Sequence, residues 1–357
     1  MSVIRTTLAA LLVAALALTT ACQPPGAARY SRQQAQTSLK KLGAPGLLLG
    51  EFHLTKVTDG DTIRVDGLDS SLRLIGLDAE ETFKNESDRR GAEDFENYLK
   101  EKRGSGKHPV KAATPLGEDA KHFAQAFFHD HTKVRIERDT AGEIRDRYDR
   151  YLAYVFAEKD GKWVNYNVEC VRAGMSPYFM KYGYSLRFHD DFVAAEAEAK
   201  AAGRGIWSPG GQHYPDYDER AAWWIARAEF IARFQPQVEH DPNFIVLTHW
   251  DAMRKLEQKV GQEVAILATV GDVKLGDRGP TKVMLSRKMF GDFPLVFFDK
   301  DVFASSGVAA WKGEFVVARG VVTTYVNKHT KKKQFQIVVD RPGQIILSTI
   351  PGLVPPS

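Results

Sequence analysis

The chain has 357 residues, of which 43% are hydrophobic and 26% are charged. This balance is typical of a globular protein and excludes a mainly disordered one, and the length favours two domains over one. The formal net charge of +4 permits a polyanionic partner, but on a chain of this size it does not by itself establish one. The function must therefore be sought in local motifs.

The first 21 residues have the pattern of an export signal. Arg5 precedes an uncharged apolar run from Leu8 to Leu18, which is shorter than the ~20 residues that a membrane-spanning helix needs. The run ends in "LTTAC", which resembles the lipobox of bacterial lipoproteins and would make Cys22 a lipidated N-terminus, with plain cleavage as the alternative. We therefore predict an exported protein, either lipid-anchored in the cell envelope (on the periplasmic side of an outer membrane or at the cell surface) or secreted.

Four regions follow the signal. Residues 22–46 are polar and rich in Pro, Gly, Ala and Gln, which predicts a flexible tether. Residues 47–210 alternate short apolar runs with helical segments, which predicts a small antiparallel barrel with packed helices. The helical spacing of apolar residues in 211–259 predicts a helical linker with an apolar stripe that docks on a domain. Residues 260–349 hold five strand-like runs and a short helix, which matches an OB-fold and equally another small barrel.

Acidic and basic residues are concentrated in the stretch "KVTDGDTIRVDGLDSSLRLIGLDAEET", from Lys56 to Thr82. The dipeptide Asp66-Gly67 is a strong turn signal between two strand-like runs. A hairpin folded at this turn brings the Asp61 end of one strand toward the Asp78 end of the next. The two acids are therefore predicted to lie close together.

Three charged groups in this stretch have the chemistry of a metal-assisted phosphate site. Asp61 and Arg73 share strand parity with apolar residues, so both are expected to lean toward the apolar face and to need a partner there. Asp61 and Asp78 offer hard oxygen atoms without nearby Cys or paired His, which favours calcium or magnesium over zinc. The planar fork of an arginine matches a phosphate.

Each of these features also has a purely structural explanation. "DGDT" is a common turn sequence, and the pair Asp59-Gly60 alone requires only a tight turn. Arg64 and Asp66 are expected to face solvent. The acids and arginines carry more weight together than singly.

The segments "VTDGDTIRV", "LRLIGLDAEET" and "DRYDRYLAYVF" resemble, in this order, the three signature segments of the staphylococcal nuclease (thermonuclease) family. "GMSPYFMKY" and "EAEAKAAGRGIWS" extend the resemblance, which runs from Leu54 to Trp207. It implies an OB-like five-stranded barrel with packed helices that hydrolyses DNA and RNA with one calcium ion. "FQIVVDRPGQIIL" resembles the last strand of bacterial OB-fold nucleic-acid-binding domains. The predicted fold is thus mainly β with α (α+β), with two OB-like barrels.

The resemblance implies a role for each matching residue of this chain. The implied calcium ligands are Asp61, Asp78 and the backbone carbonyl of Ala79. The implied catalytic residues are Arg73, Glu81 and Arg150. The implied substrate contacts are Arg147, Tyr148 and Tyr182.

The chain departs from the family pattern in two places. Glu80 stands where the family usually has a proline, so the loop loses a fixed φ, and Glu80 could compete with Glu81 or bind the metal itself. A charged insertion, Ser87 to Pro115, either covers the mouth of the site or is a tolerated surface insertion.

Two other functions remain open at this point. Lysines in "NKHTKKKQF" (Lys328, Lys331, Lys332 and Lys333) lie between Tyr325 and Phe335, where they could grip a single strand or simply face solvent. A noncatalytic nucleic-acid-binding envelope lipoprotein and a protein-binding scaffold are therefore the alternatives to a nuclease. The expected partners are DNA, RNA or both, together with a membrane through the lipid anchor, and no protein partner is inferred.

Overall fold

In the computed structural model, the described residues are 46–103, 111–129, 133–286, 292–327 and 330–352. The predicted signal, the tether with Cys22, and Lys328 lie outside these ranges. Within them, no helix combines the length and the apolar character that a membrane crossing requires.

The first half of the described chain forms a β-barrel with helices packed on it. Its strands are β1 (Leu48–Asp59), β2 (Thr62–Val65), β3 (Leu72–Leu74), β4 (Lys133–Glu137), β5 (Tyr151–Lys159) and β6 (Lys162–Asn165). Its helices are α1 (Glu86–Gly91), α2 (Phe95–Arg103), α3 (Pro115–Phe128), α4 (Tyr166–Arg172) and α5 (His189–Ala201). Short 3₁₀ turns follow at Ala92–Asp94 and Gly205–Trp207.

This first barrel closes because its third strand pairs with its fifth. The strand order is β3-β2-β1-β4-β5-β6, and an additional parallel pairing of β3 with β5 completes a ring. Alternation along the strands places Ile63, Leu72 and Leu74 in the core, where each is at most 1% exposed. The register of β2 and β3 sets Thr62 opposite Arg73, on the face away from that core.

The second half of the described chain forms another barrel. After helices α6 (Tyr217–Ala232) and α7 (Gln235–His240), strand β7 (Phe244–Val246) and helix α8 (Ala252–Gln258) lead into it. Its remaining elements are β8 (Glu263–Lys274), β9 (Thr281–Ser286), β10 (Asp292–Phe297), α9 (Lys300–Ser306), a 3₁₀ turn (Val308–Trp311), β11 (Phe315–Val326), β12 (Lys333–Val338) and β13 (Ile345–Leu347). β7, inside the predicted helical linker, pairs in parallel with β8 and extends the sheet.

The two barrels have the same strand connectivity. In the second, β8, β9, β10, β12 and β11 form the ring, β10 pairs in parallel with β12, and β11 closes onto β8. Helices lie between the third and fourth ring strands of each barrel: α1, α2 and α3 in the first and α9 in the second. The prediction of two OB-like barrels is confirmed.

Helix α6 contributes side chains to both halves of the molecule. Trp224 belongs to the core of the first barrel and packs edge-to-face on Phe179, with ring centroids 4.9 Å apart. Phe230, two turns further, packs with Phe315 and Leu267 of the second barrel. The apolar stripe predicted on this helix therefore docks on both barrels.

Candidate active site

The turn between β1 and β2 fixes the position of Asp61. A Cβ atom at Gly60 would lie 2.8 Å from the Cβ of Ala120 and 2.9 Å from that of Ala79, so only glycine lets this turn pack so closely. The Tyr166 hydroxyl donates to the Gly60 carbonyl oxygen (2.9 Å). Asp61 is consequently held at the end of the barrel, where it is only 6% exposed.

Arg73 joins the two aspartates that the sequence predicted to be neighbours. Its guanidinium contacts the Asp61 carboxylate through one nitrogen and donates to Asp78 Oδ1 through the other (3.0 Å). The same second nitrogen donates to the Leu77 carbonyl oxygen (2.9 Å), which holds the fork in place. Asp61, Arg73 and Asp78 thus form one cluster, in which the two aspartates are buried and the arginine is partly buried.

The face on which Arg73 lies differs from the sequence-based expectation. Parity predicted that it would lean toward the apolar side, but β3 ends at Leu74, and its core residues are Leu72 and Leu74, which flank Arg73. Alternation places the arginine on the opposite face of the strand. There it is partly buried, with 12% of its side chain exposed, and it pairs with Asp78. The parity argument was therefore wrong, even though the predicted pairing is present.

Asp78 begins a loop, residues 78–83, that we call the active-site loop. The backbone N–H of Asp78 donates to Ser176 Oγ (2.9 Å), and Leu77 forms a β-bridge with Tyr178. Burial raises the pKa of the Asp78 carboxyl, but the nearby charges of Lys111 and Arg73 outweigh it and hold the pKa below its usual value. Asp78 is therefore an anion at neutral pH.

Lys111 is a site residue that the sequence did not identify. It lies in the insertion, and its Nζ atom is 2.5 Å from Asp78 Oδ1. The insertion thus reaches the predicted metal side of the site. A lysine in a charged run carries no spacing signal, and only the folded path of the insertion reveals this contact.

Glu81 lies on the outer side of the active-site loop. Its carboxylate pairs with Lys84 Nζ at 3.2 Å and is 35% exposed, so it is accessible to water. Its backbone carbonyl accepts from the Thr114 N–H (3.0 Å), and a Cβ at Gly117 would lie only 2.2 Å from that carbonyl oxygen. The start of helix α3, which Thr114 caps, therefore packs against the backbone of the active-site loop.

Glu80 has neither of the roles considered from the sequence. Its side chain is 1% exposed and accepts hydrogen bonds from Thr114, Tyr214 and Tyr217. Burial raises the pKa of this carboxyl, and the three donors only partly offset the rise. The Glu80 side chain is enclosed by the protein, and both of its carboxyl oxygens already accept hydrogen bonds.

Arg150, which immediately precedes β5, reaches the same cluster. Its Nε atom donates to Asp146 Oδ2 (2.8 Å), and a terminal nitrogen lies 3.5 Å from Thr62 Oγ1. The Thr62 hydroxyl donates to Asp61 Oδ1 (2.9 Å). Thr62 therefore connects the two ends of the site.

The three predicted substrate contacts lie at the rim. Tyr148 is 67% exposed, and the guanidinium carbons of Arg147 and Arg150 lie 5.1 and 5.3 Å from its ring centre. Tyr182 is 45% exposed and contacts Phe179 edge-to-face at 5.9 Å. Arg147 and Tyr148 are thus brought beside Arg150, whereas Tyr182 comes from a separate segment after Tyr178.

The donor set fits a hard divalent cation. Asp61 and Asp78 are buried carboxylates that share one guanidinium, so both point toward a common positive charge. Oxygen ligands of this kind suit calcium. Within the described ranges, no group of three or more His, Cys, Asp or Glu side chains could hold a metal ion, so an ion here would also need backbone, solvent or substrate oxygens.

Comparisons with known proteins point to one family. A family model described as a staphylococcal nuclease homologue matches residues 71–209. The chain is 32% identical over 161 residues to the thermonuclease of Staphylococcus intermedius, a match that covers 44% of this chain and 77% of that protein. An uncharacterized protein of Methanocaldococcus jannaschii is 32% identical over 157 residues, which cover 43% of this chain and 70% of that protein.

A further relative is matched over a smaller share of its length. The SPbeta prophage-derived endonuclease of Bacillus subtilis is 29% identical over 165 residues, which cover 46% of each protein. The range of the family model ends before Tyr214 and the second barrel, and it begins after Asp61.

Proposed function

The chain belongs to the staphylococcal nuclease family and is a nuclease, and we propose that it hydrolyses phosphodiester bonds of DNA, RNA or both with the help of one calcium ion. The observation that supports this proposal is the shared Arg73 guanidinium, which binds the buried carboxylates of Asp61 and Asp78. A site that only bound nucleic acid would need the basic groups but not the two buried acids.

The acids have the role of metal ligands in this proposal. Asp61, Asp78 and the backbone carbonyl of Ala79 would hold the calcium ion, with the remaining ligands coming from water and phosphate oxygen. When bound, the ion supplies positive charge that stabilises the negative charge developing on the phosphate. Lys111, beside Asp78, adds a second positive charge on this side.

Two arginines and one glutamate act on the phosphate and the attacking water. Arg73 is held by the Leu77 carbonyl, so its fork is preorganised to bind a phosphate oxygen. Arg150 is oriented by Asp146 and stabilises charge on the phosphate and the leaving oxygen. Glu81, which is partly exposed, positions or deprotonates the water.

Cleavage assays with matched controls test the enzyme proposal. Purified protein is incubated with single-stranded DNA, duplex DNA and RNA, with calcium or with a chelator. Glu81→Gln should lower the rate by ~10²–10⁴-fold if the carboxylate acts as a base, and Arg73→Ala by ~10²–10³-fold because a preorganised charge is lost. The control variants are Glu198→Gln and Arg172→Ala, which change an ion pair between α4 and α5.

The outcomes separate the alternatives. Calcium-dependent cleavage that falls in both site variants and persists in both controls supports the proposal. Cleavage that survives in both site variants would refute the assigned roles. Binding without metal-dependent cleavage would instead support a noncatalytic nucleic-acid-binding lipoprotein.

We also propose, from the sequence of the N-terminal segment, that the protein is exported and lipid-anchored at Cys22. The run before "LTTAC" and the position of the cysteine support this proposal. Detergent phase separation of the protein produced with its signal, beside Cys22→Ser, tests it. The anchored protein should enter the detergent phase and the variant should not; recovery of both in the aqueous phase would refute anchoring.

A second function, binding of single-stranded nucleic acid, is proposed for the second barrel. Lys274 pairs with Lys282 across β8 and β9, and Lys282 Nζ lies 5.5 Å from the ring centre of Tyr325. On the neighbouring hairpin, Lys333 Nζ lies 5.3 Å from the ring centre of Phe335. Lysines interleaved with aromatic rings fit a single strand through charge and stacking.

Binding of a fluorescent oligonucleotide in chelator, where cleavage is blocked, tests this second function. The variant Lys282→Ala/Lys333→Ala should weaken binding and lower the salt slope of log K by ~0.7 for each phosphate that a lysine no longer neutralises. Lys200→Ala, a lysine of α5 paired with Glu196, serves as the control. An unchanged affinity and slope in the double variant would refute the assignment.

A further inference from the structure

The Glu80 carboxylate is the centre of a buried hydrogen-bond network. One oxygen accepts from the Thr114 hydroxyl. The other accepts from the Tyr214 backbone N–H (2.6 Å) and from the Tyr217 hydroxyl (2.7 Å). Loss of any of these donors leaves a buried carboxyl group with fewer hydrogen bonds and no water to replace them, so the arrangement favours a single loop conformation.

The same network holds both sides of the active-site loop. The Tyr214 hydroxyl brackets Ala112, accepting from its N–H (2.8 Å) and donating to its carbonyl oxygen (2.6 Å). Two residues later, the Thr114 N–H donates to the carbonyl oxygen of Glu81 (3.0 Å). The segment that begins α3 and the loop that carries Asp78 are therefore fastened to the same pair of tyrosines.

Those tyrosines lie outside the part of the chain that the family model matches. Tyr214 precedes α6 and Tyr217 is its first residue, whereas the matched range ends at residue 209. Glu80 thus ties the active-site loop to the segment that follows the matched range.

The other end of α6 is clamped to the second barrel. Arg227 is 1% exposed and pairs with Glu314, and the same guanidinium donates to the carbonyl oxygens of Lys181 (3.0 Å) and Gly313 (2.9 Å). Trp223 Nε1 donates to Glu314 Oε1 (2.9 Å). A helix rises ~1.5 Å per residue, so about 15 Å of rigid helix separates Tyr217 from this clamp.

We propose that Glu80 is a positioning residue that sets Asp78 and Glu81 through Tyr214 and Tyr217, so that α6, and the barrel clamped to it, form part of the support of the active site. The proposal rests on the proposed nuclease function and deepens it. It assigns no contact between Glu80 and the substrate or the metal ion. Its physical basis is that small displacements of reacting groups are costly: ~1 Å of misplacement can lower a rate by about 10²-fold.

Kinetics of the full-length protein give the first test. Tyr217→Phe removes one donor while keeping the ring, and Glu80→Gln keeps the shape while replacing one acceptor oxygen with an amide nitrogen that can only donate. We expect kcat to fall about 10- to 100-fold in both variants, while KM for the nucleic acid changes little because Tyr148 and Arg150 are held by a different loop. The calcium concentration for half-maximal activity should rise.

A matched control separates positioning from general destabilisation. Tyr154→Phe also deletes a buried hydroxyl, one that hydrogen-bonds to Ser185 Oγ (2.7 Å) away from the active-site loop. It should lower the melting temperature by a similar amount and leave kcat unchanged. If Tyr154→Phe loses as much kcat as Tyr217→Phe, or if Tyr217→Phe and Glu80→Gln retain full kcat, the proposal is overturned.

Hydrogen exchange gives a test that does not depend on activity. In Tyr217→Phe, amides of residues 78–83 should exchange faster than in the unmodified protein, while those of β5 should be unchanged. Arg227→Met, at the far end of α6, should produce the same local change in smaller measure. Unchanged protection of the loop in Tyr217→Phe would refute the proposal, whether or not the unmodified protein cleaves nucleic acid. If the loop exchanges faster in Tyr217→Phe but the unmodified protein has no nuclease activity, only the nuclease assignment fails.

Discussion

Replacing Arg227 with methionine should destabilise the protein strongly. The guanidinium is buried where α6 meets both barrels, and its partners are the Glu314 carboxylate and the carbonyl oxygens of Lys181 and Gly313. It also lies 4.5 Å from the ring centre of Phe315. Methionine preserves much of the side-chain volume. It leaves the buried Glu314 carboxylate without its cationic partner, although the Trp223 indole still donates to it.

The size of the effect follows from the unpaired charge. Removing one partner of a buried ion pair costs ~3–5 kcal/mol, because the other charge stays desolvated. Total stabilities of folded domains are ~5–15 kcal/mol, so the loss is a large share of the whole. For a unit of 150–250 residues, each kcal/mol corresponds to about 2–4 °C, which gives a decrease in melting temperature of about 6–20 °C.

Thermal unfolding followed by circular dichroism measures this decrease. The double variant Arg227→Met/Glu314→Met removes both charges, so it should be less destabilised than Arg227→Met alone. A decrease of under about 2 °C in the single variant, or strictly additive losses in the double variant, would contradict the reasoning. The first result would mean that Glu314 finds another partner or water.

Three smaller perturbations test other parts of the site. Gly117→Ala places a Cβ 2.2 Å from a carbonyl oxygen of the active-site loop, so it should cost ~1–3 kcal/mol and reduce cleavage, whereas Gly279→Ala, with open space around it, should change neither unfolding nor rate. Asp146→Asn should weaken the hold on Arg150 and lower kcat about tenfold without a comparable fall in melting temperature, while Asp149→Asn in the same loop, whose carboxylate pairs with a different arginine, should not. Burial, with a smaller contribution from the charge of Arg227, lowers the pKa of Lys181 to about 8 in the folded state. Above that pH the unfolded state binds more protons than the folded state, so the free energy of unfolding should rise from about pH 8 to pH 10 relative to that of Lys181→Met. If the free energies of unfolding of the two proteins change in parallel with pH, the shift is refuted.

Much of the fold was predictable because strong local signals agree with the tertiary structure. The amphipathic pattern of α3 and the alternating runs of the strands are specified over short windows, and the described elements follow them. The proximity of Asp61 and Asp78 was predictable from the turn at Gly67 and is realised through Arg73. Such features need only neighbouring residues and a hairpin.

What the sequence did not reveal depends on contacts between distant segments. Strand β7 has only three residues and forms because β8 offers an edge for pairing. A strand this short shows no alternation of apolar and polar residues that would predict it. The hydrogen bonds from Tyr214 and Tyr217 to Glu80 join residues more than 130 positions apart, and a single sequence carries no signal for that pairing. The face of Arg73 was misjudged because parity was extended past Leu74, where the strand ends.

The shared strand connectivity of the two barrels shows how little of the chemistry belongs to the framework. In the first barrel the opening residue of the second ring strand, Thr62, stands opposite Arg73, and the adjoining turn presents Asp61. In the second barrel the residue in the same place, Thr281, stands opposite Phe297, which is 1% exposed and packs on Phe303. The same strand connectivity thus places charged side chains at this position in the first barrel and a buried aromatic side chain in the second. A few side chains decide whether the position is suited to catalysis or to core packing.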